Sequence, residues 1–134
     1  MPAKQVAAEE IRVGEPVVIE GESPTQPFVA VFEDDGETGY FYALDMAREA
    51  ENQIVDALHI YDVEGITDRH IPSKVQIVWS MDGHSAALII NDYPHAVFNF
   101  RSKCGYCRTA FPPSEGEWSP DGHEWDDAAL ALFA

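Results

Sequence analysis

Apolar and polar positions separate most plainly between residues 27 and 45. There PFVAVFEDDGETGYFYALD sets two runs rich in Val, Phe and Tyr on either side of the cluster Asp34, Asp35, Gly36 and Glu37. β-branched and aromatic runs of this length are those of strands, and two of them around a turn cluster predict a β-hairpin. From residue 74 four apolar segments follow, KVQIVWS, SAALIIN, HAVFNFRS and GYCRTAF. The turns between them contain Met81-Asp82-Gly83-His84, Asp92-Tyr93-Pro94 and Lys103-Cys104-Gly105. Connections this short join only antiparallel neighbours, because a parallel pair needs a crossover of about a dozen residues or more. A four-stranded meander is expected. Upstream, IRVGEPVVIEG offers a first strand, with Gly14 and Pro16 marking an edge or bulge, and GESPTQP at 21–27 is a loop.

Helical signals are fewer. MAREAENQ after Asp45 has an N-cap residue. The next stretch, IVDALHIYDV, reads two ways: Met46, Ala50, Ile54 and Leu58 are spaced as one helix face, whereas the β-branched and aromatic content of 54–63 favours a strand. A short helix followed by a strand satisfies both. Residues 1–10 read as a loose or helical lead-in. At the other end SPDGHEWDDAALALF predicts a helix over 119–133, with Ser119 as N-cap, Pro120 at the first helical position, an acidic first turn, and docking through Trp125, Leu130 and Phe133. The expected fold is mainly β, α+β at the margin: an antiparallel meander sheet or small sandwich of about six or seven strands, with the C-terminal helix over one face. Residues 1–134 suit a single domain, since a chain of this length hides roughly two-thirds of its unfolded surface.

Composition adds a strong charge. Twenty-four acidic residues stand against eight basic ones, for a formal net charge of −16. Such a molecule repels phosphate backbones and anionic lipid over a screening length of about 8 Å, so nucleic acid and membrane surfaces are not expected partners. The charge has two readings, solubility in a salty cytoplasm or an acidic face that meets a basic protein. MPAKQVAAEEIRVGEP has no apolar core of the secretory kind, and AALII at 86–90 is far below the about 20 residues of a membrane span, so a soluble cytoplasmic protein with reduced thiols is expected.

Chemistry-bearing residues fall into four groups. Cys104 and Cys107 have the spacing of a redox couple or half a zinc site, but a redox pair needs a helix N-terminus directly after it, and zinc needs four ligands. The histidines His59, His70, His84, His95 and His123 are scattered. The expectation is that Cys104 sits near a hairpin tip and Cys107 on a strand face, with no metal and no cofactor. Arg101, Lys103 and Arg108 bracket that turn and either activate the thiol or pair with carboxylates. Asp68, Arg69 and His70 share one loop, and Asp92 and His95 one turn; these are acid–base candidates, yet equally ordinary turn residues. Glu33, Asp34, Asp35 and Glu37 crowd a hairpin tip whose order does not fit a calcium loop, and as an acidic tip they agree with the global charge.

The stretches VFEDDGETGYFYALD, DALHIYDVEGITDRHIPSKVQIVWS and INDYPHAVFNF with GYCRTAFP resemble a small bacterial family known only as a domain of unknown function, over roughly residues 28–112. The resemblance implies a soluble bacterial protein with no established activity or site residues to carry over. The function expected from the residues is therefore a non-enzymatic acidic protein-binding module, of antidote or immunity type, that uses Glu33, Asp34, Asp35 and Glu37 against a basic partner. The alternative is a small-ligand or zinc-dependent function built on Asp68, His70, Asp92, His95, Cys104 and Cys107.

Overall fold

The computed structural model describes residues 3–113 and 116–133. Nine strands run β1 Ala3–Ile11, β2 Val17–Glu22, β3 Phe28–Asp34, β4 Thr38–Asp45, β5 Ile54–Asp62, β6 Ser73–Ser80, β7 Ser85–Ile90, β8 Tyr93–Asn99 and β9 Cys104–Cys107. They form two antiparallel sheets: sheet A in the order β1-β6-β7-β8-β9, and sheet B in the order β2-β3-β4-β5. The mainly β reading holds, and so do its two clearest parts. β3 and β4 make the hairpin, with Phe28 opposite Asp45 and Asp34 opposite Gly39. β6 to β9 are consecutive neighbours, the meander that the short turns require. No helix among the described residues is long and apolar enough to cross a membrane.

Several expectations need correction, and each fails for a physical reason. Residues 3–10 are not a loose or helical lead-in but most of β1, which pairs along its whole length with β6. A register shift between Gln5 and Ala7 interrupts the period-two pattern, and the partner strand lies far along the chain. IRVGEPVVIEG is accordingly a corner: Ile11 ends β1, the Glu15 N–H donates to the Arg12 carbonyl at 3.0 Å, and β2 begins at Val17 in the other sheet. MAREAENQ supplies only one 3₁₀ turn, Ala50–Asn52, while the strand expected next is present as β5.

The C-terminal helix of 119–133 shrinks to a 3₁₀ segment, Asp127–Phe133. Ser119 is no N-cap: its φ is +53° and its hydroxyl turns inward to Asp56. After a turn in which the Gly122 N–H donates to the Ser119 carbonyl at 2.9 Å, the chain runs beside β9, where the Cys107 N–H donates to the His123 carbonyl at 3.0 Å and Cys107 bridges Glu124, and the 3₁₀ segment begins only at residue 127. Trp125 and Phe133 dock as expected, joined by Ala129 and Leu132, but Leu130 faces solvent. The loop after Pro113 opens on residues 114 and 115, outside the described residues.

The sheets face each other across one apolar core. Alternation puts Ala30 and Phe32 of β3, Phe41 and Ala43 of β4, and Leu58 and Ile60 of β5 inward from sheet B. Val75, Ile77 and Trp79 of β6, Leu88 of β7, and Ala96 and Phe98 of β8 meet them from sheet A. Phe41 stacks on Phe98 with ring centroids 5.1 Å apart, and the Trp79 indole N–H donates to the Gly21 carbonyl at 3.0 Å, so both ring and polar contacts cross the interface. β7 and β8 are buried on their other side too, where Ala87 and Val97 lie beneath the C-terminal segment. At the far edge the His59 N–H donates to the Phe111 carbonyl at 2.8 Å, closing β5 against the chain that leaves β9.

Gly39 is set by close approach. A Cβ on Gly39 would stand 2.7 Å from the Tyr61 ring, whose hydroxyl donates to Asp34 at 2.7 Å. Gly39→Ala is expected to cost about 1–3 kcal/mol through this overpacking, read as a lower urea midpoint at unchanged slope.

Candidate functional site

The acidic hairpin tip does not present all four of its carboxylates. Asp34 is 1% exposed; it accepts from the Gly14 N–H at 2.7 Å, the Gly36 N–H at 2.8 Å and the Tyr61 hydroxyl. It is the internal brace of the turn. Burial first, and then the bond to Asp34, pushes the Tyr61 phenol far above its usual range, keeping it a neutral donor. Asp35 is exposed and caps the turn from outside. Its Oδ1 accepts from the Thr38 and Glu37 N–H groups at 2.9 Å each, and these bonds hold its carboxyl below the ordinary value. Glu33 and Glu37 complete the outward-facing set.

The second group is split. Asp68, Arg69 and His70 are exposed in the loop before β6, and Asp92 is exposed in the β7–β8 turn with φ +66°. Pairing of Lys74 with Asn91 puts both loops at one end of sheet A, yet no hydrogen bond, ion pair or ring contact joins the first trio to Asp92 or His95 among the described residues. His95 is half-buried edge-on to Tyr93; desolvation, and then the Arg108 cation, lower its pKa from the ordinary value. Glu37 and Arg69, taken from different groups, do line one depression of about 500 Å³ together with Asp62 and Glu64.

The two cysteines are three residues apart in one strand, so they point to opposite faces. Cys107 is buried in the core between the sheets, whereas Cys104 lies on the outer side of β9 beside Tyr106. Among the described residues no three His, Cys, Asp or Glu side chains are grouped to hold a metal. Of the three cations around this turn, Lys103 pairs with Glu117, Arg101 lies 3.7 Å from Asp82, and Arg108 lies between the rings of Trp125 at 3.8 Å and Tyr93 at 4.5 Å.

Two constellations absent from the sequence reading imitate catalytic triads. Asp56 joins Ser119 and His123, but the carboxylate sits in the middle. The Ser119 hydroxyl donates to Asp56 Oδ2 at 2.7 Å and His123 Nε2 meets Oδ1 at 2.8 Å, so the ring cannot take the serine proton. Thr109, His59 and Asp62 are also in line, at 3.0 and 2.9 Å. Here the threonine gives its proton to the His59 backbone carbonyl at 2.9 Å, so its oxygen can only accept from the ring. Neither arrangement activates a nucleophile.

A further surface feature is the outer face of sheet B, which carries the partly exposed Tyr40 and Tyr42. Strand register sets it out in rows: Val18, Glu33, Tyr40 and His59; then Glu20, Val31, Tyr42 and Ala57; then Glu22, Val29, Leu44 and Ile54. Tyr40 and Tyr42 stack at its centre with centroids 5.8 Å apart, Val18 and Ile54 are more than half exposed, and these rows contain no Lys or Arg. The phenol of Tyr42 is raised by desolvation and then by the charge of Glu33, so both aromatic and acidic groups act at one place. The run GYFYALD carried the signal: apolar residues at every position, not every second one, mean that both faces of the strand want cover.

A family model described as an uncharacterized protein conserved in bacteria matches residues 11–134, reaching beyond the stretch 28–112 and taking in the C-terminal segment. An uncharacterized protein of Haemophilus influenzae is 51% identical over 85 residues, which cover 63% of this chain and 52% of the relative. The chain thus spans about half the length of that curated relative. No solved structure matches.

Proposed function

Because the chain belongs to this bacterial family, whose description brings no activity with it, we propose that it is a non-enzymatic binding module that docks a basic protein on the outer face of sheet B. The observation that carries the reading is the partly exposed Tyr40–Tyr42 stack set among Glu20, Glu22 and Glu33. Tyrosine is enriched in the central hot spots of interfaces, and surrounding charge of one sign selects and steers a partner of the other. Self-association fits poorly, since two such faces would oppose glutamate to glutamate on molecules that each carry a net charge of −16. Asp35 and Glu37 extend the acidic field at the hairpin tip, while Asp34 contributes rigidity from within. Occlusion of a basic surface, as by an antidote or immunity protein, is the role such a face can fill without chemistry of its own.

The test starts from immobilised protein and bacterial lysate at low salt, followed by purification of the captured protein and a binary titration. Tyr42→Ala is expected to weaken binding tenfold or more, the loss of a central aromatic anchor, and Glu33→Lys to slow association and flatten its salt dependence. Capture of no salt-sensitive basic protein, or a binder indifferent to both substitutions, would overturn the proposal.

A further inference from the structure

We propose that residues 118–129 form a proton-latched strap: charged His123 holds them against β5 and keeps the outer face of sheet A covered, and loss of its proton lets them lift.

The latch is built of groups that can only accept. His123 is 3% exposed, with Nε2 2.8 Å from Asp56 Oδ1 and Nδ1 on the Pro112 carbonyl. A carbonyl oxygen has no proton to give, and a carboxylate has none. Neutral imidazole carries one N–H, so only the imidazolium satisfies both neighbours. The carboxylate is fixed in turn: Oδ1 also accepts from the Ala57 N–H at 3.0 Å and Oδ2 takes the Ser119 hydroxyl, whose oxygen accepts from the Gly105 N–H at 2.8 Å. The elements around the ring are therefore β5 through Asp56, residues 108–113 through the Pro112 carbonyl, β9 through Gly105 and Cys107, and the strap through Ser119. Asp56 is the charged group that bears on the ring.

Burial by itself lowers the imidazole pKa, but the hydrogen bonds to Asp56 and Pro112 and the Asp56 charge more than offset it, leaving the folded value above the ordinary 6.5. A folded value above the unfolded one gives stability that is complete below the unfolded pKa and is lost as pH rises through the folded pKa. Beyond that point one acceptor confronts a ring lone pair in a buried site. The strap is what the latch secures: Trp125 and Ala129, with Leu132 and Phe133 beyond, pack over Ala87, Val97 and Tyr106.

The experiment follows the His123 ring by NMR in the intact protein, together with amide-exchange protection factors corrected for the intrinsic effect of pH. The ring is expected to titrate above 6.5, and protection over residues 118–129 to fall by up to tenfold per pH unit beyond that midpoint, while the β3–β4 hairpin stays unchanged. Asp56→Asn should move the midpoint and the onset of exchange down together; if that variant does not fold, the wild-type titration decides alone. Strap protection that stays flat through the titration, or a ring midpoint at or below 6.5, would overturn the latch.

Discussion

Phe41→Ala is expected to lower stability by about 3–5 kcal/mol, the usual cost of deleting a fully buried phenylalanine. The ring is 0% exposed and stacked on Phe98 of the opposite sheet, so its removal opens a void that two hydrogen-bonded sheets cannot collapse into. Against a total stability of roughly 5–15 kcal/mol this is a large fraction. With urea slopes of about 1–3 kcal/mol/M, the midpoint should fall by at least about 1 M. A shift below about 0.5 M would mean that the sheets do not meet at this ring. Tyr42, the next residue on the same strand, faces outward, so its truncation should show chiefly in binding. Neighbouring positions thereby separate what holds the sandwich together from what it presents.

Asp34→Ala should be the costliest change in the acidic hairpin, about 3–5 kcal/mol. It strands the Gly14 and Gly36 N–H groups and the Tyr61 hydroxyl, and each buried donor left unpaired costs about 1–3 kcal/mol, partly relieved where water can enter. Asp34→Asn, which keeps an acceptor of the same shape, should lose less. The matching change at Asp35, exposed at the same turn, should be much milder. Equal unfolding midpoints for the two alanine variants would show that Asp34 is not the internal brace.

Both effects bear on what the sequence made legible. The β3–β4 hairpin and the β6–β9 meander could be read because their evidence is local: runs rich in β-branched and aromatic residues, turn residues, short loops. β1 could not, since its pattern is broken at Gln5–Ala7 and its partner β6 is distant in the chain. The end of the chain misled for the opposite reason. Ser119, Pro120 and the acids that follow are sound helix-starting residues, but the Ser119 bond to Asp56 and a tight turn closed by the Gly122 N–H on the Ser119 carbonyl take them out of a helix, and pairing of Glu124 with Cys107 carries the chain on beside β9. Asp34 looked like its neighbours because charge in a turn reads as exposed, and only the register that brings Tyr61 and Gly14 to it shows otherwise. The Tyr40–Tyr42 face was implicit in an unbroken apolar run. Which sheet would keep an open face depended on where the C-terminal segment settles, and no pattern in β4 encodes that.

Pairing of Ala3 with Ser80 also sets a timetable for folding. The β3–β4 hairpin closes over a few residues and can form as soon as it leaves the ribosome. β1, made well before β6, has no partner strand until β6 has been synthesised, and the loop that must then close is long. Until that moment its backbone groups are unpaired, and the acidic residues Glu9 and Glu10 give the waiting strand the charge that discourages nascent chains from joining edge to edge.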